Sequence, residues 1–209
     1  MSSSTNGASS AGNTQSRQPA RRVFEDELAA STFAFSEEDR ETAPQYLLLP
    51  TGARANRVLM AGVITDVSEV TEDDGSSSLQ GRFAGDKNAL NVYPNQYAGG
   101  DQILEPFYEE TPEIALIVAK PKVSNRETGQ DRVYLNIEWA QDISPSRRER
   151  WVARTATETI DRVEQAIAAN NNEEMSDMYI ELANEEYDPD LTAYQDSCLD
   201  HLQTHGLAE

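Results

Sequence analysis

Lysine is nearly missing from this chain. Only Lys87, Lys120 and Lys122 occur among 209 residues, and arginine supplies every other cation. Cysteine is rarer still: Cys198 stands alone, so no internal disulfide can form, and a reducing cytoplasm is the expected setting. There is no run of about 18 apolar residues, which excludes a membrane-spanning helix. The opening stretch MSSSTNGASSAGNTQSRQPARR has no hydrophobic segment, so a secretory signal is not expected. The two histidines, His201 and His205, crowd near the C-terminus, which leaves no credible Ser/His/Asp set. HEXXH, Walker and dinucleotide motifs are absent. Cys198, His201 and His205 have spacings that would place three metal ligands on one helix face, but a fourth is missing. Carboxylate pairs such as Asp73 and Asp74 are expected by chance among 37 acidic residues. Neither an enzyme, a cofactor nor a metal site is expected.

What the chain has in excess is negative charge. Thirty-seven Asp and Glu against 17 Lys and Arg give a net charge of −20. The acids alternate with apolar segments instead of forming one block, which describes a charged folded surface and not an acidic tail. Such an excess, with arginine replacing lysine, is the composition of proteins from salt-loving archaea. Near 1 M salt the Debye length is about 3 Å, so the bulk charge repels an anionic partner only weakly beyond contact. Nucleic acid is therefore not excluded, as it would be in dilute salt.

Five regions follow from changes of composition and period. Residues 1–20 are rich in Ser, Asn, Gly and Thr and are expected to be disordered. Residues 21–56 form an arm: Val23, Phe24 and Leu28 have helical spacing, Phe33 and Phe35 follow, and APQYLLLPTGARANR reads as an extended piece entering a turn. Residues 57–143 hold five strand-like segments, 57–70, 79–85, 88–94, 113–120 and 131–143, with a short helical connector after the third. Gly62 lies in the first, where a strand that bends sharply is expected. Strand, strand, strand, helical connector, strand, strand is the order of an OB-fold, so the class is mainly β, a five-stranded barrel followed by a helical region. Residues 144–169 form one helix, with Ser144 as N-cap and Pro145 at its first position. Residues 170–209 form an acidic extension of two short helices, either a packed unit or loose until a partner arrives.

Strand alternation separates the two faces of the barrel. Leu79, Phe83, Leu90, Val92, Val133, Leu135 and Ile137 are expected inside, and Trp139 with them, because it shares a face with Ile137. Arg82, Asn91, Tyr93, Tyr134 and Asn136 are then outside. In OB-folds the second and third strands, with the one-two and four-five loops, form the ligand groove. An aromatic there stacks an unpaired base for about 1–3 kcal/mol, without needing a favourable net charge. Arg82, Asn91, Tyr93 and Tyr134 are the candidates for that base-facing surface. The four-five loop, KPKVSNRETGQDR, sets Lys120, Lys122, Arg126 and Arg132 against Glu127 and Asp131, whereas the one-two loop, EVTEDDGSSS, is acidic. Lys120, Lys122 and Arg126, with Arg54 and Arg57 just before the barrel, are candidate phosphate contacts. Some have a plainer alternative: Tyr93 and Tyr97 packing the connector onto the barrel, Arg82 pairing with surface carboxylates, and the loop cations serving solubility.

The blocks RRVFEDEL, PTGARANRVLMAGVITDVSEV, RFAGDKNALNVYPNQY and RRERWVARTATETIDRV resemble the haloarchaeal replication protein A-associated proteins, over residues 21–168. That family consists of OB-fold accessory subunits of a single-stranded-DNA-binding complex. The resemblance implies a hetero-oligomer with the large replication protein A subunit, and roles in DNA replication, repair and recombination. It also implies that the helix after the barrel serves assembly. Val152, Ile160, Val163 and Ile167, on one face of that helix, would meet the partner or else cover the mouth of their own barrel. Two functions are consistent with these residues: a non-catalytic subunit that binds single-stranded DNA, or an assembly module that does not touch DNA.

Overall fold

In the computed structural model, residues 19–40, 43–71, 75–108, 113–124, 131–172, 175 and 177–209 are described. The arm contributes β1 (Arg21–Arg22), α1 (Glu25–Ala29), β2 (Ala34–Ser36), β3 (Gln45–Leu48) and β4 (Arg54–Ala55). β5 (Val58–Thr71), β6 (Ser77–Ala84) and β7 (Ala89–Pro94) follow. Two 3-10 turns, Gly100–Ile103 and Glu105–Phe107, then lead to β8 (Glu113–Ser124) and β9 (Arg132–Asp142). Three helices end the chain: α2 (Pro145–Asn171), α3 (Met178–Tyr187) and α4 (Leu191–Thr204).

The sheet order is β1-β5-β6-β7-β9-β8, and a further pairing of β5 with β8 closes it. β7 and β9 run parallel, the chain crossing between them through the 3-10 turns and β8, and the other barrel neighbours are antiparallel. This is the five-stranded OB barrel, and closure leaves its strands no free edge along the paired length. Alternation holds as expected. Leu79, Phe83, Leu90, Val92, Val133, Leu135 and Ile137 are buried in one core with Met60, Ile64 and Ile117.

Two β-bulges change details that alternation alone does not reveal. Gly62 does mark a close approach: an added Cβ would lie 2.5 Å from the Ala84 carbonyl oxygen and 2.6 Å from the Phe83 ring. The register break in β5, however, comes later, between Thr65 and Ser68, where Asp66 has φ of 54°. The extra residue there increases the strand's twist as it leaves β8 and follows β6. The second break opposes Ile137 to Ala119 but Trp139 to Val118, so Glu138 is the extra residue. One added residue inverts every later side chain. Trp139 therefore points outward and is 41% exposed, which corrects its expected place in the core.

β8 also runs past the expected end at residue 120, with Lys120 to Ser124 paired to β9. Its pairing with β5 stops at Ala119, so among the described residues one edge of β8 beyond that point has no partner strand, and Pro121 is tolerated there. Lys120 and Lys122 consequently stand on a strand, not in a loop.

The helices close the barrel from below. Trp151, Val152 and Ala156 of α2 join the barrel core, while Val163 and Ala166 pack with Leu191 of α4. Ser144 occupies the N-cap in extended conformation, but its side chain does not cap the helix. α1 is clamped between barrel and helices by two buried glutamates. Glu27 accepts hydrogen bonds from Thr51 (2.7 Å) and Arg162 (2.7 Å), forming a buried ion pair with the latter. Glu25 accepts from the backbone N–H of Lys87 (2.7 Å), and Gly85 leaves room for that carboxylate.

α4 is not loose. Cys198 and His201 are fully buried, and the His201 ring stacks on Phe24 with centroids 3.9 Å apart. His201 Nδ1 bonds Asp86 at 3.0 Å, and His205 Nε2 bonds the same oxygen at 3.0 Å. Arg148 donates to Asp86 as well (2.7 Å), so the β6–β7 turn is held by both α2 and α4. The three residues weighed as metal ligands thus serve packing and a carboxylate clamp. No group of three or more potential ligands is found among the described residues. No helix among them is long and apolar enough to cross a membrane.

Candidate nucleic-acid interface

Barrel register places the outward candidates in rows. Thr65 pairs with Arg82, Arg82 with Asn91, Asn91 with Tyr134, and Tyr134 with Lys122, one residue from each of the five barrel strands. One step along, Tyr93 pairs with Asn136 and Asn136 with Lys120. Directly opposed side chains in neighbouring strands lie about 5 Å apart, so each row is a continuous ledge across the sheet.

Arg82, Asn91 and Tyr134 of the first row line a cleft of about 600 Å³ with Tyr93, Ser124 and Arg132. Among the described residues two arginines and no carboxylate line it, in a protein of net charge −20. Arg82, Asn91 and Arg132 are exposed, and Tyr93 and Tyr134 are half-buried. The tyrosine rings meet edge to face, with centroids 5.4 Å apart at 89°. Such a pair is worth about 0.5–1.5 kcal/mol beyond burial, and it fixes both rings while leaving ring surface open. Both core packing of the connector and a free tyrosine were possible for Tyr97; it is fully exposed.

A second cleft, about 560 Å³, adjoins the first through Tyr93. Asn95, Tyr97, Lys120, Lys122 and Asn136 line it, with Asp101 as its carboxylate. Asp101 accepts a hydrogen bond from the Leu79 backbone N–H (2.9 Å), which holds the connector against β6. Lys122 donates to Gln45 at 3.2 Å, and burial followed by repulsion from Lys120 lowers its pKa. Two ammonium groups that repel one another on a shared ledge are relieved by an anion. Lys120 also lies 3.7 Å from Glu138.

Other candidates are placed elsewhere. Arg57 forms a two-pronged ion pair with Glu138, one contact of 2.9 Å, and that partner raises its pKa against the opposing effect of burial. Arg54 pairs with Glu37 and lies over the Tyr179 ring, 4.8 Å from its centroid, fastening α3 to the arm. Each is paired with a carboxylate of its own chain. Arg126 lies outside the described residues. Val152 and Val163 are buried, and Ile160 and Ile167 pack beside them, so the α2 stripe covers its own barrel and α4 instead of facing out. Arg132 and Asn136 complete the clefts. Both are legible in the sequence, one in the loop's charge balance and the other by alternation.

No protein-family model matches the chain, and no curated protein matches it. Among solved structures it is similar to a mitochondrial single-stranded DNA binding protein from S. cerevisiae, at 15% identity and a TM-score of 0.34. The match covers 42% of this chain and 95% of that one. A likeness of that size carries no argument, and the OB architecture rests on strand order, closure and register.

Proposed function

We propose that the chain is a non-catalytic OB-fold subunit that binds single-stranded DNA across β6, β7, β9 and β8. Bases stack on Tyr93 and Tyr134, Asn91 and Asn136 offer amides to base edges, and Arg82, Arg132, Lys120 and Lys122 meet phosphates. The observation that carries this reading is the cleft around the edge-to-face tyrosine pair, lined by Arg82 and Arg132 and by no carboxylate among the described residues. Stacking is tolerant of sequence because every base has a π face, so the site reads single strands without a code. The resemblance over residues 21–168 extends the reading to a replication protein A-like complex, with the large subunit as partner, in replication, repair and recombination of a halophilic archaeon. Since the α2 stripe is occupied within the chain, that partner meets another surface or displaces α4.

Fluorescence anisotropy of the purified chain with a labelled oligothymidine in about 2 M KCl tests it, because screening then removes the bulk repulsion. Saturable binding that weakens with Tyr134→Ala and with Lys122→Ala supports direct contact. Absence of binding, with stable co-purification of a large subunit from the native host, leaves an assembly module only.

A further inference from the structure

The outward ledge does not end at Asn136. Beyond the bulge at Glu138, β9 turns Trp139 to the same outer surface, opposite Val118 of β8. Trp139 lies three residue steps along the strand from Asn136, about 10 Å at roughly 3.3 Å per step. Between them stands Glu138, which Arg57 and Lys120 both engage, so its carboxylate is more than balanced. The outer face of the β8–β9 ribbon thus reads Tyr134 and Lys122, Asn136 and Lys120, then Trp139. β7 has already ended at Pro94, paired with Ile137, so among the described residues no strand pairs with β9 on that side at Trp139. Among the described residues no ring stacks on it. The other tryptophan differs throughout: Trp151 is 7% exposed, donates to the Leu59 carbonyl (3.1 Å) and packs against Phe24.

We propose that Trp139 is a further base-stacking position, which takes a nucleotide of the single strand after it leaves the two clefts over the β8–β9 ribbon. The inference rests on the groove reading above and deepens it by giving the strand a path. A protein contact would suit the half-exposed Leu116 and Val118 nearby, but the continuity of the ledge and the flanking Lys120 favour a polyanion.

The two tryptophans make the test specific. The full chain is titrated in about 2 M KCl with end-labelled oligothymidines of 6 and 20 nucleotides, following both label anisotropy and tryptophan emission. The 20-mer is expected to quench Trp139, and Trp139→Leu to abolish the quench and weaken the 20-mer about tenfold. The same variant leaves the 6-mer unchanged if the short strand fills the clefts alone. The Trp151 emission of the variant reports that it is folded. Anisotropy that shows binding, with no quench and wild-type affinity of Trp139→Leu for the 20-mer, overturns the Trp139 site but leaves the groove. No anisotropy change with either oligonucleotide overturns both. An emission shift that follows protein concentration and not oligonucleotide marks the indole as a protein contact and also overturns the proposal.

Discussion

Raising the pH from 6.5 to 9.5 should loosen α4 from the barrel through a single imidazole. Burial alone would make His201 harder to protonate, but the facing carboxylates of Asp26 and Asp86, with Glu25 behind them, outweigh this and lift its pKa to about 9. Nε2 of His201 is 3.6 Å from Asp26, too long for a hydrogen bond yet within ion-pair reach, so the Asp86 bond is the firmer of the two. Against an ordinary value of 6.5, a folded value of about 9 means the protonated ring favours the folded state. That stability is complete below pH 6.5 and is lost as pH rises through 9. The difference corresponds to roughly 3 kcal/mol at 1.36 kcal/mol per unit. For a chain of this length it equals a fall of about 6–12 °C in melting temperature. Thermal melts of the wild type and of His201→Gln, recorded from pH 6.5 to 9.5, read it directly. The wild type should descend across that interval. The variant should start lower and stay nearly level, with Arg148 still holding Asp86. A level wild-type profile, or an equal slope in the variant, would refute an ionised clamp at this position.

Further consequences concern the acid limb, the buried pair and the barrel closure. Asp26 and Asp86 are held at about 2, chiefly by His201 against the opposing cost of burial, so stability present above pH 3.8 should be lost only as pH falls through 2; acid titration followed by circular dichroism checks this. Arg162→Met strands the Glu27 carboxylate in a dry site and should cost about 3–5 kcal/mol in urea unfolding, with much of the loss recovered when Glu27→Gln is added. Gly62→Val forces a side chain onto the Ala84 carbonyl and the Phe83 ring, and should destabilise the barrel by more than about 2 kcal/mol by the same assay. In the groove, Tyr134→Ala removes one stacking face and the edge support of Tyr93, and should weaken oligothymidine by roughly 1–3 kcal/mol in anisotropy titrations.

The barrel was legible because it depends on period. Leu79, Phe83, Leu90, Val92, Leu135 and Ile137 alternate with polar residues, and a face that must be buried specifies its register. Tyr93, Tyr134 and Asn91 fell on the outer face for the same reason. Trp139 did not, because a bulge is one residue of backbone geometry that leaves no mark in apolar spacing. Lys120 and Lys122 looked like loop residues because Pro121 between them reads as a strand breaker. It is accommodated only because β5 has already parted from β8. The pairing of Arg54 and Arg57 was hidden for a different cause. Nothing local reveals that their counter-charges, Glu37 and Glu138, arrive from 17 residues upstream and 81 downstream. His201 is the extreme case, since its stacking and acid partners Phe24, Asp26 and Asp86 are all more than 100 residues away in sequence.

Ultraviolet cross-linking of oligothymidine to the full chain, with adducts mapped by mass spectrometry, tests the groove most directly. If the tyrosine pair binds bases, adducts form on the peptides holding Tyr93, Tyr97 or Tyr134 and vanish in excess unlabelled single strand. Adducts confined to the arm or to α2–α4, or none at concentrations where anisotropy reports saturation, would contradict it.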